Sequence, residues 1–279
     1  MNLAVRHETR FTYEAVVTHG LSEARVLPRV TPTQAVRHAE VTVEPRPDER
    51  AEHLDFFGNR VVYLALSRPH SVLTVTATAE VEVGEAVPGP AADEPWDAIV
   101  WPADLVQFVV ASPLVEADGA VAAYARRSFP PGRPLREAVT ELTERIHRDF
   151  VYRPGVTTVL TPVSEVMAQR RGVCQDFAHL EIACLRSLGL PARYVSGHVE
   201  TGPADGGDGL VGAGASHAWC AVALPDGTWL DVDPTNRLVT PAHVTLAWGR
   251  DYSDVAPLKG VVFTEGGHHL SVTVTVTRM

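Results

Sequence analysis

The first third of the chain alternates apolar and polar residues in the way that half-buried β-strands do. The longest such run covers residues 73–83 (LTVTATAEVEV), where every second side chain is apolar. Three shorter runs rich in β-branched and aromatic residues lie between Gly, Pro, Asn and Asp residues, at positions 10–13, 41–43 and 60–66. These runs predict an antiparallel β-rich domain over residues 1–90.

The pattern changes after residues 86–95, which hold three prolines, a glycine and two acidic residues and are typical of a domain linker. Pro134 suits the first turn of a helix. Apolar residues then recur at three- and four-residue spacing, which predicts an amphipathic helix. They are Leu135, Ala138, Val139, Leu142, Ile146 and Phe150. A second helix is predicted between Gly172 and Gly189, with Cys174 at its N-terminus.

The last third returns to strand-like patterns. Residues 217–224 and 228–233 flank Pro225-Asp226-Gly227 and predict a hairpin. A final alternating run at residues 269–277 predicts a strand that completes one of the sheets, without indicating which. Residues 202–215 are rich in glycine and fit two interpretations equally, a mobile lid over a site or a surface insertion.

Composition and charge narrow the class of protein. The chain of 279 residues is 45% hydrophobic and 21% charged, as in ordinary globular proteins. Lys and Arg number 24 against 34 Asp and Glu. The resulting net charge of −10 argues against binding to nucleic acid or an anionic membrane through counterion release. We therefore expect a small-molecule or protein partner, no nucleic acid and no membrane.

The three cysteines, Cys174, Cys184 and Cys220, are too few for a disulfide framework, and no CxxC pair indicates zinc or redox chemistry. They fit a reducing compartment. No stretch has the uninterrupted apolar run of a signal peptide or a transmembrane helix. We expect a cytoplasmic protein that needs no metal and no other cofactor.

Cys174 is the candidate nucleophile. A catalytic thiol needs a base for its proton and a third group that orients the base. At a helix start, unpaired backbone N–H groups and the positive end of the helix dipole favour the thiolate. Cys184 lies ten residues further along the same helix among apolar neighbours, so it is predicted to be a small core residue.

His217 and Asp233 are the candidate base and orienting carboxylate. They are sixteen positions apart, so they share one face of the hairpin if its loop holds an odd number of residues. A three-residue loop at positions 225–227, with glycine in the left-handed conformation, satisfies this condition. The two residues are then diagonal neighbours about 7–8 Å apart at Cα. Asp231 has the same parity but lies one step further away, so it is the second choice.

Each candidate also has a structural interpretation as a buried thiol, a hydrogen-bonded core histidine or a turn residue. A metal site built from Cys174, His217 and Cys220 is a further alternative, but it lacks paired-ligand spacing. Parity also places Cys220 on the opposite strand face from His217. The tryptophans of the hairpin, Trp219 and Trp229, either shield a site from water or form hairpin core. His179 is predicted to be exposed to solvent or to lie between domains, and surface positions are predicted for His198, His268 and His269.

Four segments resemble the transglutaminase-like superfamily, in the bacterial branch that carries a β-rich N-terminal domain. They are residues 171–180 (RGVCQDFAHL), 185–197 (LRSLGLPARYVSG), 216–219 (SHAW) and 231–236 (DVDPTN). In that family the nucleophile is the cysteine of GVC, the base is the histidine of HAW and the orienting carboxylate is the aspartate of DPT. The resemblance therefore implies the same three residues, Cys174, His217 and Asp233.

The resemblance implies an α+β fold in three parts. Residues 1–90 form the antiparallel β domain, residues 91–248 form a papain-like catalytic domain whose cysteine-bearing helix packs on an antiparallel sheet, and residues 249–279 form a tail with a closing strand. The implied chemistry is acyl transfer from a peptide or protein amide through a thioester. The backbone N–H of Cys174, with Tyr152 or Gln169, is implied as an oxyanion donor.

The acceptor of the acyl group is a separate expectation. We expect a peptidase or amidase, with water as the acceptor, over a cross-linking enzyme with an amine acceptor. The alternative from another class is a catalytically silent protein-binding module on the same fold. The sequence leaves the oligomeric state open.

Overall fold

The computed structural model describes residues 1–202 and 209–279. The strands are β1 (Asn2–Val17), β2 (His19–Ala24), β3 (Gln34–Glu44), β4 (Glu49–Leu54), β5 (Arg60–Leu66), β6 (His70–Val83), β7 (Val151–Tyr152), β8 (Arg171–Gly172), β9 (Ala192–His198), β10 (His217–Ala223), β11 (Trp229–Asp233), β12 (Leu238–Val239), β13 (Val244–Gly249), β14 (Leu258–Phe263) and β15 (His268–Arg278). The helices are α1 (Gly119–Arg126), α2 (Leu135–Asp149), α3 (Val163–Gln169), α4 (Cys174–Arg186) and α5 (Tyr252–Val255). None of the helices in the described ranges combines the length and the apolar character needed to span a bilayer.

Two antiparallel four-stranded sheets form a sandwich in the N-terminal region. Their strand orders are β15-β1-β6-β3 and β14-β2-β5-β4. The predicted strand at residues 73–83 lies within β6, and each of its apolar positions is buried, so this prediction is confirmed. Side chains from both sheets meet in one core, which includes Tyr13, Val17, Val41, Leu64, Leu73 and Val75.

The last two strands of the chain belong to this sandwich. Strand β15 pairs with β1 over its whole length, from Arg278 opposite Leu3 to His268 opposite Tyr13. Strand β14 pairs with β2 in the other sheet. The predicted closing strand is therefore present, and it completes the sheet that contains β1, which the sequence left open.

A five-stranded antiparallel sheet, of order β12-β11-β10-β9-β13, carries α4 on one face. Helix α4 ends before Gly189, which has a φ of +80°, and Leu190 N–H donates back to Leu185 O at 3.1 Å. Both predicted helices are confirmed as α2 and α4. The whole is the α+β fold with antiparallel sheets that the sequence predicts.

The hairpin of β10 and β11 has the predicted register. Cys220 lies opposite Val232, and Leu224 N–H donates to Thr228 O at 2.9 Å across the loop. Gly227 has a φ of +83°, the left-handed conformation expected of the last loop residue. The loop thus holds three residues, and the odd number places His217 and Asp233 on the same face of the sheet.

The sandwich packs directly against the five-stranded sheet. Val274 and Val276 of β15 share a buried cluster with Val244 and Leu246 of β13. At the same boundary Gln34 Nε2 donates to Thr245 O at 2.8 Å, and its Oε1 accepts from Thr245 N–H at 2.9 Å. These contacts fix β1 and β15 close to the start of β10, where His217 lies.

Candidate active site

Cys174 is the first residue of α4 and is half-buried. The helix start is held by Asp176, whose Oδ2 accepts from Val173 N–H at 2.8 Å and from Thr157 Oγ1 at 2.7 Å. A side chain at Gly172 would meet the Asp176 carboxylate at 2.7 Å, so glycine is needed there. The thiol therefore lies at the positive end of a helix whose first turn is fixed in place.

The other two cysteines are fully buried. Cys184 and Cys220 both belong to the core between α4 and the five-stranded sheet. Burial raises the pKa of each thiol well above its ordinary value. The prediction that Cys184 is a core residue is confirmed, and Cys220 lies on the α4 face of the sheet rather than beside His217.

His217 and Asp233 lie in direct contact. His217 Nε2 is 2.8 Å from Asp233 Oδ2, and neither side chain has any solvent-exposed surface. Because Nε2 is taken, Nδ1 is the ring nitrogen left for another partner, and it is buried with no hydrogen-bond partner among the described residues. The first-choice pair of the sequence prediction is thus brought together by the hairpin.

The Asp233 carboxylate accepts five hydrogen bonds. Oδ2 accepts from His217 Nε2, from His243 Nε2 at 3.0 Å and from Asn236 Nδ2 at 2.8 Å. Oδ1 accepts from the backbone N–H groups of Thr235 at 2.9 Å and Asn236 at 3.2 Å. All five partners are donors, which is the environment of an ionised carboxylate.

The charges of this group shift the pKa values in opposite directions. Burial alone would raise the pKa of Asp233, but the hydrogen bonds and charges of His217 and His243 hold it far below its ordinary range. For His217, burial alone would lower the pKa. The hydrogen bond and negative charge of Asp233, with a further contribution from Cys174, outweigh that effect and raise the pKa. Since Asp233 occupies Nε2, Nδ1 is the ring nitrogen that remains for exchange of a proton with Cys174.

Two family models match the chain. The model of the bacterial transglutaminase-like N-terminal region matches residues 3–82, and that of the transglutaminase-like superfamily matches residues 122–234. A protein of Mycobacterium bovis is 41% identical over 275 residues, which cover 93% of this chain and 87% of the relative. A Mycobacterium leprae protein is 35% identical over 282 residues, 99% of each chain. The chain belongs to the transglutaminase-like superfamily.

Two further proteins that are similar to this transglutaminase-like chain have names that state an activity. The protein-glutamine gamma-glutamyltransferase of Pseudomonas aeruginosa is 34% identical over 131 residues, which are 43% of this chain and 19% of that enzyme. The crystal structure of a proposed cysteine protease from Cytophaga hutchinsonii has a TM-score of 0.80 and 23% identity. It covers 99% of this chain and 90% of that one. The second likeness shows a common fold.

His243 and Asn236 are members of the transglutaminase-like site that the sequence reasoning missed. His243 is buried, and its ring lies edge-on against both His217 and Trp219. Asn236 lies three residues after Asp233, at the spacing of a side chain that returns to a turn, and that spacing is a signal which could have found it. No comparable pattern marks His243, which comes from the segment before β13.

The second-choice carboxylate, Asp231, faces other residues. Burial raises its pKa to about 6, and the nearby guanidinium of Arg193 opposes that rise. Trp219 is 1% exposed and stacks against His217 with ring centroids 6.2 Å apart. Trp219 therefore shields the histidine from water and also packs in the core, so both interpretations of this residue apply.

The predicted surface histidines divide into two pairs. His268 and His269 are exposed, as predicted. Of the two alternatives for His179, exposure to solvent is wrong, since it is 2% exposed; it accepts from Tyr252 N–H at 3.1 Å, in the part of the chain after residue 249. The surface prediction is also wrong for His198, which is fully buried against His7 with ring centroids 5.1 Å apart. Both lie on elements that the neighbouring layers cover, which periodicity within one element does not reveal.

A metal-binding arrangement from Cys174, His217 and Cys220 is not formed, since Cys220 packs on the other face of the sheet. Within the described ranges, a set that could hold a metal ion is His217, Asp233 and His243, whose ligand atoms lie within 4.8 Å of one another. Both Nε2 atoms are at hydrogen-bond distance from one Asp233 oxygen. In this arrangement the ring nitrogens donate to the carboxylate.

The two side chains named as oxyanion donors differ in position. Gln169 is engaged in hydrogen bonds with Glu165 at 2.6 Å and with Arg171 at 3.0 Å. Tyr152 is half-buried next to Phe177, and burial, with a smaller contribution from the charge of Cys174, raises its pKa. Tyr152 pairs with Gly172, two residues before Cys174, so its backbone lies close to the start of α4.

Part of the glycine-rich segment covers His217. Residues 203–208, for which a lid was one interpretation, lie outside the described residues. The following stretch is held by Asn236, whose Oδ1 accepts from Val211 N–H at 2.8 Å and whose Nδ2 donates to Val211 O at 3.1 Å. A Cβ on Gly212 would lie 2.4 Å from His217 Nδ1. The backbone at this position therefore lies directly on the free ring nitrogen.

Gly212→Ala should slow alkylation of Cys174 by iodoacetamide by about 10- to 100-fold, because a displacement of about 1 Å at a reacting group has effects of that size. The added methyl group forces either the loop or the His217 ring to move. Gly214→Ala is the matched control. Gly214 has a similar positive φ, +85° against +96°, but its Cβ would meet no atom within 4 Å. Equal rates for the two variants would contradict the prediction.

Proposed function

We propose that the protein is a thiol enzyme that acts on amide bonds, with Cys174 as nucleophile, His217 as base and Asp233 as the group that orients the base. The observation that carries this proposal is the buried contact of 2.8 Å between His217 Nε2 and Asp233 Oδ2. It leaves Nδ1 without a hydrogen-bond partner among the described residues, so that this nitrogen can take the proton of Cys174. Such a contact fixes the tautomer and the orientation of an imidazole that exchanges a proton with a nucleophile.

In the proposed reaction, the Cys174 sulfur attacks the carbonyl carbon of an amide. The C–N bond breaks, and the proton that His217 took from the thiol passes to the leaving nitrogen. The acyl group stays on sulfur as a thioester. A water molecule then attacks the thioester carbon and gives a proton to His217. The C–S bond breaks, which releases a carboxylic acid and restores Cys174.

We propose a peptide or protein amide as the substrate and water as the acceptor, in a cytoplasmic protein that needs no metal or other cofactor. The three unpaired cysteines support a reducing compartment. A second candidate is transfer to an amine, which is favoured by the 34% identity to a protein-glutamine gamma-glutamyltransferase over 131 residues. The intact set of thiol, imidazole and carboxylate speaks against the third candidate, a silent binding module.

The experiment that separates these candidates incubates the protein with glutamine-containing peptides and a biotinylated primary amine, and reads the products by mass spectrometry. Hydrolysis gives shortened or deamidated peptides without biotin, whereas transfer attaches biotin to glutamine. Cys174→Ser is the control and should form neither product. Biotinylated peptides from the unchanged protein would overturn the preference for water. If neither product forms and Cys174 reacts with iodoacetamide no faster than free cysteine does, the protein is not an enzyme of this kind.

A further inference from the structure

A cavity of about 260 Å³ lies between the N-terminal sandwich and the start of β10. Its floor is the face of the sheet that contains β1 and β15, and its wall includes Ser216, the residue before His217. Apolar side chains dominate the lining, among them Phe11, Leu258, Leu270 and Val272. The cavity thus adjoins the candidate base and is built largely from the β-rich region.

The polar groups of the cavity floor are partly engaged with each other. His7 Nε2 and Thr9 Oγ1 lie 3.0 Å apart, and both residues are buried. An occupant therefore meets an apolar surface rather than a row of free donors. A cavity of about 150 Å³ lined by apolar side chains can hold a benzene molecule. A volume of about 260 Å³ is accordingly large enough for a leucine or phenylalanine side chain.

The rim of the cavity is a free strand edge. Strand β15 is the outermost strand of its sheet. At one end its outer edge is occupied, because Val274 N–H donates to Gly214 O at 2.9 Å and Val276 O accepts from Thr201 N–H at 2.9 Å. Backbone groups of alternate residues point to the same edge, so those of Leu270 and Val272 also point outward. Within the described ranges no backbone group pairs with them there.

The outer edge of β15 and the cavity both lie close to the candidate catalytic residues. Gly214, which pairs with the occupied end of β15, is three residues before His217. On the opposite wall Tyr252 packs against Tyr194, with ring centroids 6.4 Å apart. Tyr194 in turn is a buried member of the cluster against which Cys174 packs.

We propose that the substrate binds as an extended peptide added to the edge of β15 at Leu270 and Val272, with a branched aliphatic or aromatic side chain in the adjoining cavity. This inference rests on the proposed function. Strand addition supplies affinity through main-chain hydrogen bonds, and a pocket for alternate side chains supplies specificity. The same-face side chains of an added strand lie next to those of Leu270 and Val272, which line the cavity.

The test uses tripeptide chloromethyl ketones, which alkylate Cys174 from a docked peptide. In separate probes, each of the three peptide positions carries leucine, phenylalanine, glycine or aspartate. The measured quantity is the rate constant with the peptide probe divided by that with iodoacetamide, which needs no docking. We expect the ratio to be about tenfold higher for leucine or phenylalanine at one position, equivalent to 1.4 kcal/mol. N-methylation of one probe amide should cost about tenfold, and N-methylation of the next amide along should cost little, because strand hydrogen bonds alternate.

Val272→Trp should fill the cavity and lower the ratio for the preferred probe by about tenfold. Val261→Trp is the matched control, since Val261 is a strand valine that is 64% exposed and lies outside the cavity. Equal ratios for all side chains and all N-methyl positions would overturn the docking proposal while leaving the proposed function intact. The proposed function would be contradicted by a different result, namely a slow reaction of Cys174 with iodoacetamide that does not depend on His217. The N-methylated probes keep the test independent of how any variant folds.

Discussion

His217→Ala is expected to slow the alkylation of Cys174 by iodoacetamide at pH 6 by about 100-fold, because an ordinary thiol with a pKa of about 8.5 is only about 0.3% thiolate at that pH. Asp233 and Cys174 together raise the pKa of His217. The imidazole therefore stays protonated above pH 6 and supplies a positive charge to the site of the thiol. Removal of the ring leaves a thiol without this partner.

The dependence on pH is the sharper part of this prediction. The gap between the unchanged protein and His217→Ala should close as the pH rises toward 9, since ordinary thiols become thiolates there. Cys184 and Cys220 are fully buried, so early labelling reports Cys174. His269→Ala removes an exposed histidine and is the matched control. A gap of the same size at pH 6 and pH 9 would show that His217 acts on the fold rather than on the thiol.

Asp233→Asn is expected to lower the free energy of unfolding at pH 7 by about 3–5 kcal/mol, the cost of removing one partner from a buried ion pair. All five groups that contact the carboxylate are donors. An amide nitrogen in place of Oδ1 or Oδ2 would face donors only and would stay unpaired. Urea denaturation of both proteins measures this difference.

The loss should shrink in acid, and the sign follows from the pKa of Asp233. Its pKa in the folded protein lies far below the value of about 3.9 for an unfolded aspartate. The ionised group therefore stabilises the fold above pH 4, and this contribution is lost as the pH falls toward the folded pKa. The difference between the two proteins should thus be smaller at pH 3 than at pH 7. Asp226→Asn, in the exposed hairpin loop, is the control for stability; hydrogen bonds from Thr228 lower the pKa of that exposed carboxylate, so its trend should have the same sign but be much smaller.

Asp231→Asn provides a second comparison, for reactivity. Asp231 lies two residues before Asp233 on the same strand but faces Arg193. We expect Asp233→Asn to slow the labelling of Cys174 through the displaced His217 ring, and Asp231→Asn to leave the rate close to that of the unchanged protein. A larger effect at Asp231 would reverse the assignment of the orienting carboxylate.

Local patterns were enough to predict the elements that carry the candidate site. The loop at positions 225–227 holds a proline and a glycine that determine its length, and the length determines which strand residues share a face. The contact between His217 and Asp233 follows from that register. Likewise, Gly172 and Gly189 mark the ends of α4, so the position of Cys174 at a helix start was visible in the sequence.

The parts that were not predicted depend on contacts between distant segments. His243 reaches Asp233 only because β13 pairs with β9, so that the segment before β13 lies beside the hairpin. His179 and His198 are buried by α5 and by β1, which lie more than 70 and 190 residues away along the chain. No period within a single element contains that information. Tertiary packing therefore decides the surroundings of the site.

The pairing of β15 with β1 also affects the order in which parts of the chain can fold. Strand β1 pairs with a strand more than 250 residues further along the chain, and the side chains of Val274 and Val276 complete the cluster against β13. Loop closure over so long a span carries an entropic cost that must be met before these contacts form, which slows folding. On the ribosome, the cysteine-bearing helix is made well before β15 emerges. The cavity beside His217 is complete only after β15 has been made, so a growing chain carries a thiol without a finished binding surface.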